Sequence, residues 1–309
     1  MNDVALPLAS RASLFALCMA VCCSAMAATD AATETDPLAE PAAKTVSAET
    51  ADTEDPLWEW NLAAYARYGP SYPASENSQL NIVPLPLPVY RGKILRVGDS
   101  EDKPISTRIF RRDNIKLDID FGLNFPVDSE EVDARTGMPD LDLLLEVGPR
   151  LELQFADSPK HGDLFLDLEL RGALSFDALD PTWRGLVFST SLKYVRPIKL
   201  AKRTELKIDL TPEWANNEYM DFFYGVAPEF GVPGREEYRA KGGYLGTKLG
   251  FGIKQILNDD FQIRTGIRFG FYQGARNRNS SLYTDDTNVG VYFAFLWKFW
   301  ESQRMVTAE

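Results

Sequence analysis

The chain has 309 residues, with 33 Lys and Arg against 45 Asp and Glu, a formal net charge of −12 and a single histidine. That acidic balance excludes a nucleic-acid surface, since phosphates select basic faces. The three cysteines, Cys18, Cys22 and Cys23, all lie near the N-terminus, which excludes a disulfide scaffold or a cysteine-ligated metal in the rest of the chain.

The first 27 residues read as a secretory signal peptide. Arg11 precedes the apolar run "ASLFALCMAVCCSAMA", which ends in the cleavage pattern Ala25-Met26-Ala27. A buried N-terminal helix is the other reading. The run is short for a membrane span, which needs about 20 residues. Leu17 and Val21 are not the small residues that lipidation of the cysteine after them requires, so no lipid anchor is expected.

Residues 28–56 are a different material. They contain eight acidic residues, one Lys and no aromatic residue. Such a segment buries too little apolar surface to offset its ordering entropy, and it is expected to be a disordered acidic periplasmic linker.

From Leu57 onward the side chains alternate. In "NIKLDIDFGLNF" the apolar Ile115, Leu117, Ile119, Phe121, Leu123 and Phe125 alternate with Lys116, Asp118, Asp120, Gly122 and Asn124. The same pattern recurs in "LDLLLEVGPRLELQF", "LFLDLELRGALSF", "DFQIRTGIRFGFYQG" and "VGVYFAFLWKFW". Successive strand residues point to opposite faces. Dyad repeats of about ten residues are the transmembrane strand signature, whereas ordinary globular strands average about five or six. A sandwich also alternates, but its outer face is simply solvated. Here the polar face mixes charge sign and carries glycine, which suits a narrow barrel interior. The expected strands are 58–68, 79–90, 93–111 with an interruption, 114–125, 141–155, 164–176, 184–194, 203–211, 218–226, 238–256, 260–273 and 287–300. The fold expected is all-β: a closed antiparallel transmembrane barrel of 10–12 strands, twelve by this count, over residues 57–300. A polar tail, 301–309, should hang free in the periplasm. By the same count "PVDSEEVDARTGMPD" is a long periplasmic loop, and "DALDPT", "PEWANN" and "NDD" are short periplasmic turns. "GVAPEFGVPGREE" and "GARNRNSSLYTDDT" are long outer loops.

Two stretches carry a family resemblance. "YGPSYPASENSQLNIVPLPLPVYRGK" and "FFYGVAPEFGVPGREEYRAKGGYLGTKLGFGI" resemble the MipA/OmpV family of outer-membrane proteins, the MltA-interacting protein family. The resemblance spans most of Leu57 to Trp300. It implies an outer-membrane barrel tied to cell-wall metabolism, with a scaffold between murein hydrolase and synthase as its role. The acidic linker and the nine residues after Trp300 lie outside that pattern.

Catalytic chemistry is sparse. His161, in "DSPKHGD", falls in a turn and reads as a solvated residue rather than as the base of a nucleophilic site. No cofactor is expected. "SEEVDARTGMPDLD" offers oxygen ligands but lacks the spacing of an EF-hand loop, so no metal site is expected either. The polar faces place Lys116, Asp118, Asp120, Glu146, Arg150, Glu152, Asp167, Glu169, Arg171, Lys193, Lys207, Asp209, Arg264 and Arg268 in the lumen. A salt-bridge lattice filling the barrel is one reading, since buried charges require partners. A polar conduit or a small-ligand site is the other. On the closing strand, Val289, Val291, Phe293, Phe295, Trp297 and Phe299 are expected to face outer-membrane lipid. Gly290, Tyr292, Ala294 and Lys298 should face inward. Three functions remain open: a scaffold for periplasmic murein enzymes, a narrow channel for small polar solutes, and an outer-membrane enzyme acting through His161.

Overall fold

The structure, a computed structural model, describes residues 54–307 except 92–95, 98–105, 113, 159–160, 178–179 and 202. The expected signal peptide and nearly all of the expected acidic linker lie outside the described residues. The strands, in chain order, are β1 (Glu54–Pro56), β2 (Trp58–Pro70), β3 (Ser78–Arg91), β4 (Arg96–Val97), β5 (Ser106–Arg112), β6 (Ile115–Asn124), β7 (Leu143–Ala156), β8 (Asp163–Asp177), β9 (Asp180–Ile198), β10 (Thr204–Ala215), β11 (Gly243–Ile256), β12 (Phe261–Phe271), β13 (Thr287–Glu301) and β14 (Met305–Thr307); one α-helix, α1 (Asn217–Tyr224), interrupts them.

β2 to β13 pair antiparallel with their sequence neighbours. β13 pairs back onto β2 through Leu296↔Ala63 and its neighbours, and β10 pairs with both β9 and β11. The ladder is thinnest at β4, which meets β3 only through Tyr90↔Val97 and Arg91↔Arg96, and β5 only through Arg96↔Arg108 and Val97↔Thr107. Pairing matters more here than in a soluble sheet. An unpaired N–H or C=O facing hydrocarbon costs several kcal/mol, roughly.

Alternation along the ladder gives an apolar outer wall. Leu62, Leu170, Phe188, Leu192, Leu210, Phe251 and Phe293 are all exposed, while Asp118, Arg150, Asp167 and Lys193, on the other face, are buried. All six tryptophans are exposed. Trp58, Trp60, Trp297 and Trp300 stand at the end of the ladder that carries both chain ends, and Trp183 and Trp214 stand at the opposite end. Aromatic residues at both rims match an interfacial girdle.

The 93–111 stretch is two antiparallel strands, β4 and β5, rather than one interrupted strand. That extra reversal corrects the expected sidedness. The loop 125–142 lies at the same end as 71–77, 216–242 and 272–286, and so does the connection after β8. The long loops therefore share one end, and the short turns after β7, β9 and β11 share the end with the termini. Residues 218–226 are not a strand. Asn216 caps α1 by accepting from the Tyr219 N–H, and Tyr219, Met220, Phe223 and Tyr224 are buried at helical spacing. The tail also differs from expectation. β14 pairs with β1 through Glu54↔Thr307, Asp55↔Val306 and Pro56↔Met305, so part of the tail is held by the segment that leads into β2.

The hydrophobic core sits in the loops. Tyr72, Val127, Val132, Leu141, Tyr219, Met220, Phe223, Tyr224, Val226 and Leu282 are buried together with the inward strand residues Leu144, Ala173, Val187 and Leu245. Four loops thus fold into one apolar cap seated in the loop-end mouth of the ladder. Hydrogen bonds tie them: Tyr72 donates to the Leu282 carbonyl at 2.7 Å, Tyr224 to the Pro73 carbonyl at 3.0 Å and Ser280 to the Tyr224 carbonyl at 2.7 Å. Arg235 donates to the carbonyls of Ala134 and Thr136 at 3.1 and 2.8 Å.

Met220 lies at 0% exposure in this core. Truncating a buried methionine costs about 2–5 kcal/mol. Met220→Ala should therefore leave the barrel folded, with its heat-modifiable electrophoretic mobility intact. Tryptic cleavage at Arg235, Arg239 and Lys241 should accelerate by roughly tenfold or more, because cleavage follows the open population. Parental resistance to trypsin would mean that this core does not hold the cap.

Candidate functional site

The inner wall of β6 to β9 carries a connected charge lattice. Each of these strands turns its polar set inward because the other set is Leu, Ile, Val and Phe. Pairing then puts opposite charges side by side at Lys116↔Glu152 and Asp118↔Arg150 between β6 and β7 and at Arg150↔Glu169 between β7 and β8, and sets two acids opposite each other at Glu152↔Asp167. Arg150 is at its centre and wholly buried. It donates to Asp118 at 2.8 Å, with Asp167 and Glu152 at 3.6 and 3.8 Å. Lys193 bridges Glu152 at 2.7 Å and Asp167 at 3.4 Å, and Lys116 reaches Asp118 at 3.2 Å. Nearer the cap, Arg171 binds Glu146 at 2.9 Å and Asp120 at 3.1 Å, and also holds Glu169.

Glu146 joins the lattice to the cap. Besides Arg171 it accepts from the Tyr219 hydroxyl at 2.7 Å and from Asn124 Nδ2 at 2.8 Å. Burial, with the Glu146 carboxylate beside it, pushes the Tyr219 hydroxyl well above the usual tyrosine range. It therefore stays a donor. Burial also pushes Tyr72 up to about 12, with Arg135 opposing, and raises Tyr224. The cap's hydroxyls are thus neutral donors to carbonyls and to one carboxylate.

Ten of the fourteen lumen residues read from the sequence, Lys116, Asp118, Asp120, Glu146, Arg150, Glu152, Asp167, Glu169, Arg171 and Lys193, meet in this lattice. The other four, Lys207, Asp209, Arg264 and Arg268, lie on β10 and β12, across the lumen. That far wall holds charges which sequence reading passed over: Glu213 pairs with Lys248 at 2.7 Å and Glu205 with Lys254 at 3.3 Å. Their alternation was legible, but Gly246, Gly250 and Gly252 dilute the polar set of β11. Those glycines make room. A Cβ at Gly252 would come within 2.8 Å of the Tyr292 hydroxyl, and one at Gly266 within 2.6 Å of the Tyr292 ring.

On β13, Val289, Val291, Phe293, Trp297 and Phe299 are exposed and Phe295 is half-buried. A bulge after Lys298 sets Trp300 opposite Trp60, and Trp300 is exposed as well. The strict alternation expected of this strand therefore ends at Lys298. His161 lies in an exposed turn, its carbonyl accepting from the Tyr194 hydroxyl at 2.5 Å. In 125–142 the carboxylates serve the backbone: Asp128 accepts from Glu130 N–H, Glu130 from Gly137 N–H and Asp140 from Ser129 N–H. Among the described residues no group of three His, Cys, Asp or Glu side chains is placed to hold a metal.

Removing one partner from a buried ion pair costs about 3–5 kcal/mol, because the remaining charge is stranded. Arg150→Met should lower stability by that order in urea unfolding from micelles. Arg203→Met breaks the exposed Arg203–Asp259 pair, at 2.9 Å, and should cost less than about 1 kcal/mol. Equal costs would show that the lattice is not buried as described.

Solved structures with a similar arrangement include a NanC porin, 10% identical, over 77% of this chain and all of that one, with a TM-score of 0.35. The translocator domain of the autotransporter NalP from Neisseria meningitidis is 11% identical over 78% of this chain and 88% of its own, at a TM-score of 0.39. A Pseudomonas aeruginosa FadL homologue is 9% identical over 79% and 90%, at 0.30. No curated protein gives a significant match. Residues 62–299 match the family described as MltA-interacting protein MipA. That match covers β2 to β13 almost in full, both charged walls and the whole cap, and the chain belongs to that family of outer-membrane β-barrel proteins.

Proposed function

We propose that the protein is a closed, twelve-strand outer-membrane barrel that works as an adaptor for cell-wall enzymes rather than as an open pore or a catalyst. The observation that carries this reading is the cap, which packs four loops and inward strand residues into one apolar core across the loop-end mouth. Long loops face outward in barrels of this kind, so the cap is on the outer side. The termini, with the β1–β14 pairing, then lie in the periplasm.

Several features support the membrane placement. The outward side chains of β13, from Val289 to Phe299, would meet lipid, and the tryptophans would mark both interfaces. The family's name refers to interaction with MltA. A murein hydrolase or synthase is accordingly the partner class for the periplasmic end. The acidic linker would extend from the same end, after removal of the signal peptide.

A second reading, a narrow channel for small polar solutes, draws on Arg268. This residue points inward yet is exposed, so part of the lumen is wet. Conductance and capture separate the two. In planar bilayers the parent protein should give no steady unitary current. On affinity capture from detergent extracts it should retain a murein hydrolase or synthase. Stable unitary steps in the parent, with no murein enzyme retained, would replace the adaptor by the channel.

A further inference from the structure

The two walls of the lumen differ in charge and in packing. In the β6–β9 lattice six carboxylates face four cations, and all are tied together. On β10 to β13 and β2 bases outnumber acids. Two of those bases stand out. Arg268 sits in a row between Gly250 on β11 and Gly290 on β13, with the Asp209 carboxylate lying over Gly250. Arg67, on β2, pairs in register with Tyr292 and donates from Nη2 to the Pro70 carbonyl at 3.3 Å. Among the described residues neither guanidinium is in an ion pair, whereas Arg150 and Arg171 have three carboxylates each.

The two arginines converge. Across β13 they are two residues apart in register, Arg268 opposite Gly290 and Arg67 opposite Tyr292, and the Tyr65 ring stacks with that of Tyr292 at 6.4 Å between centroids. Between them the wall is bare: a Cβ on Gly69 would come within 3.1 Å of the Gly290 Cα and 3.3 Å of Arg67 Nη2. Both arginines lie just beneath the cap, near the loop ends of β2 and β12. Toward the other end the same wall has an open recess lined by Glu205, Lys207, Lys254, Arg264 and Tyr292. Glu205 is neutralised by Lys254, and Asp209 lies against Gly250.

We propose that this wall is a blind binding site for a small oxyanion, a carboxylate or phosphate group on a solute with a flat or apolar part. The solute enters from the end carrying the chain termini and stops at Arg67 and Arg268. Guanidinium forks match the planar geometry of carboxylate and phosphate oxygens and bind them bidentately. A cation in the lumen that makes no ion pair of its own gains from such a counter-ion. The Tyr65 and Tyr292 rings supply a stacking face for the rest of the solute. The cap blocks passage outward, so the site captures rather than conducts. This inference rests on the lumen's geometry alone; its failure would leave the adaptor reading standing.

The test is calorimetric titration of the full-length protein in detergent at low ionic strength, with citrate and pyrophosphate as separate probes. At least one should bind saturably, and which one does separates the carboxylate from the phosphate chemistry. Arg268→Gln removes a side chain that makes no structural ion pair and should weaken binding roughly tenfold or more. Arg67→Gln should do the same, and Arg268→Lys should fall between parent and Gln. Arg235→Gln, on the cap, should bind as the parent does. Heat-modifiable mobility confirms that each variant is folded. No binding of either probe to the parent, or parental affinity in folded Arg268→Gln, overturns the proposal.

Discussion

Everything in this molecule follows from one constraint on a β-ladder with an apolar outer wall. The side-chain period is two, so each outward leucine or phenylalanine forces its neighbours inward. A chain that turns Leu, Ile, Val and Phe outward on strand after strand must gather its polar residues in one narrow interior. Unpaired charges there cost several kcal/mol each, roughly. The β6–β9 wall meets this by register: Asp118↔Arg150 and Glu152↔Asp167 are cross-strand partners, with Lys193 bridging the two acids of the second pair. The same rule that makes the outer wall greasy therefore makes the inner wall an ionic lattice.

The cap depends on that lattice in turn. A hollow ladder has no hydrophobic core between its walls, and this chain builds one from its loops instead. Tyr219 joins the two systems. Its ring packs in the cap and its hydroxyl binds Glu146, which Arg171 holds in place. Loosening Arg171 would free Glu146, and freeing Glu146 would strand the Tyr219 hydroxyl. The cap is in this way fastened from beneath as well as packed from the side. On the opposite wall Asn288 of β13 holds the 71–77 loop, accepting from the Ala74 N–H and donating to the Ser75 carbonyl, while glycines leave Arg268 exposed.

Much of the ladder was legible in the sequence. Strands of ten or more alternating residues have few alternatives, and β6, β7, β8, β12 and β13 fall close to their expected bounds. What escaped was local and tertiary. The stretch "NEYMDFFY" has aromatic residues that pass for a strand; its helix is set by the Asn216 cap and by burial of Tyr219, Met220, Phe223 and Tyr224 on one side. The two residues of β4 give no periodic signal, and missing that reversal inverted the sidedness of the loop after β6. The lattice was readable as a set of inward charges. Who pairs with whom was not, because register is fixed by the whole ladder. The cap was invisible to periodicity, since its core draws single residues from four separate loops.

Hydrogen exchange of the parent protein in a lipid nanodisc tests the central claim most directly. If the loops form a packed cap, the amides of Val226, Tyr238, Met220 and Tyr272, which donate to loop or helix carbonyls at 2.8 to 3.1 Å, should exchange nearly as slowly as those of the barrel strands. Exchange of these amides as fast as in an unstructured loop, with the strands still protected, would contradict it: the barrel would then be open at its loop-end mouth.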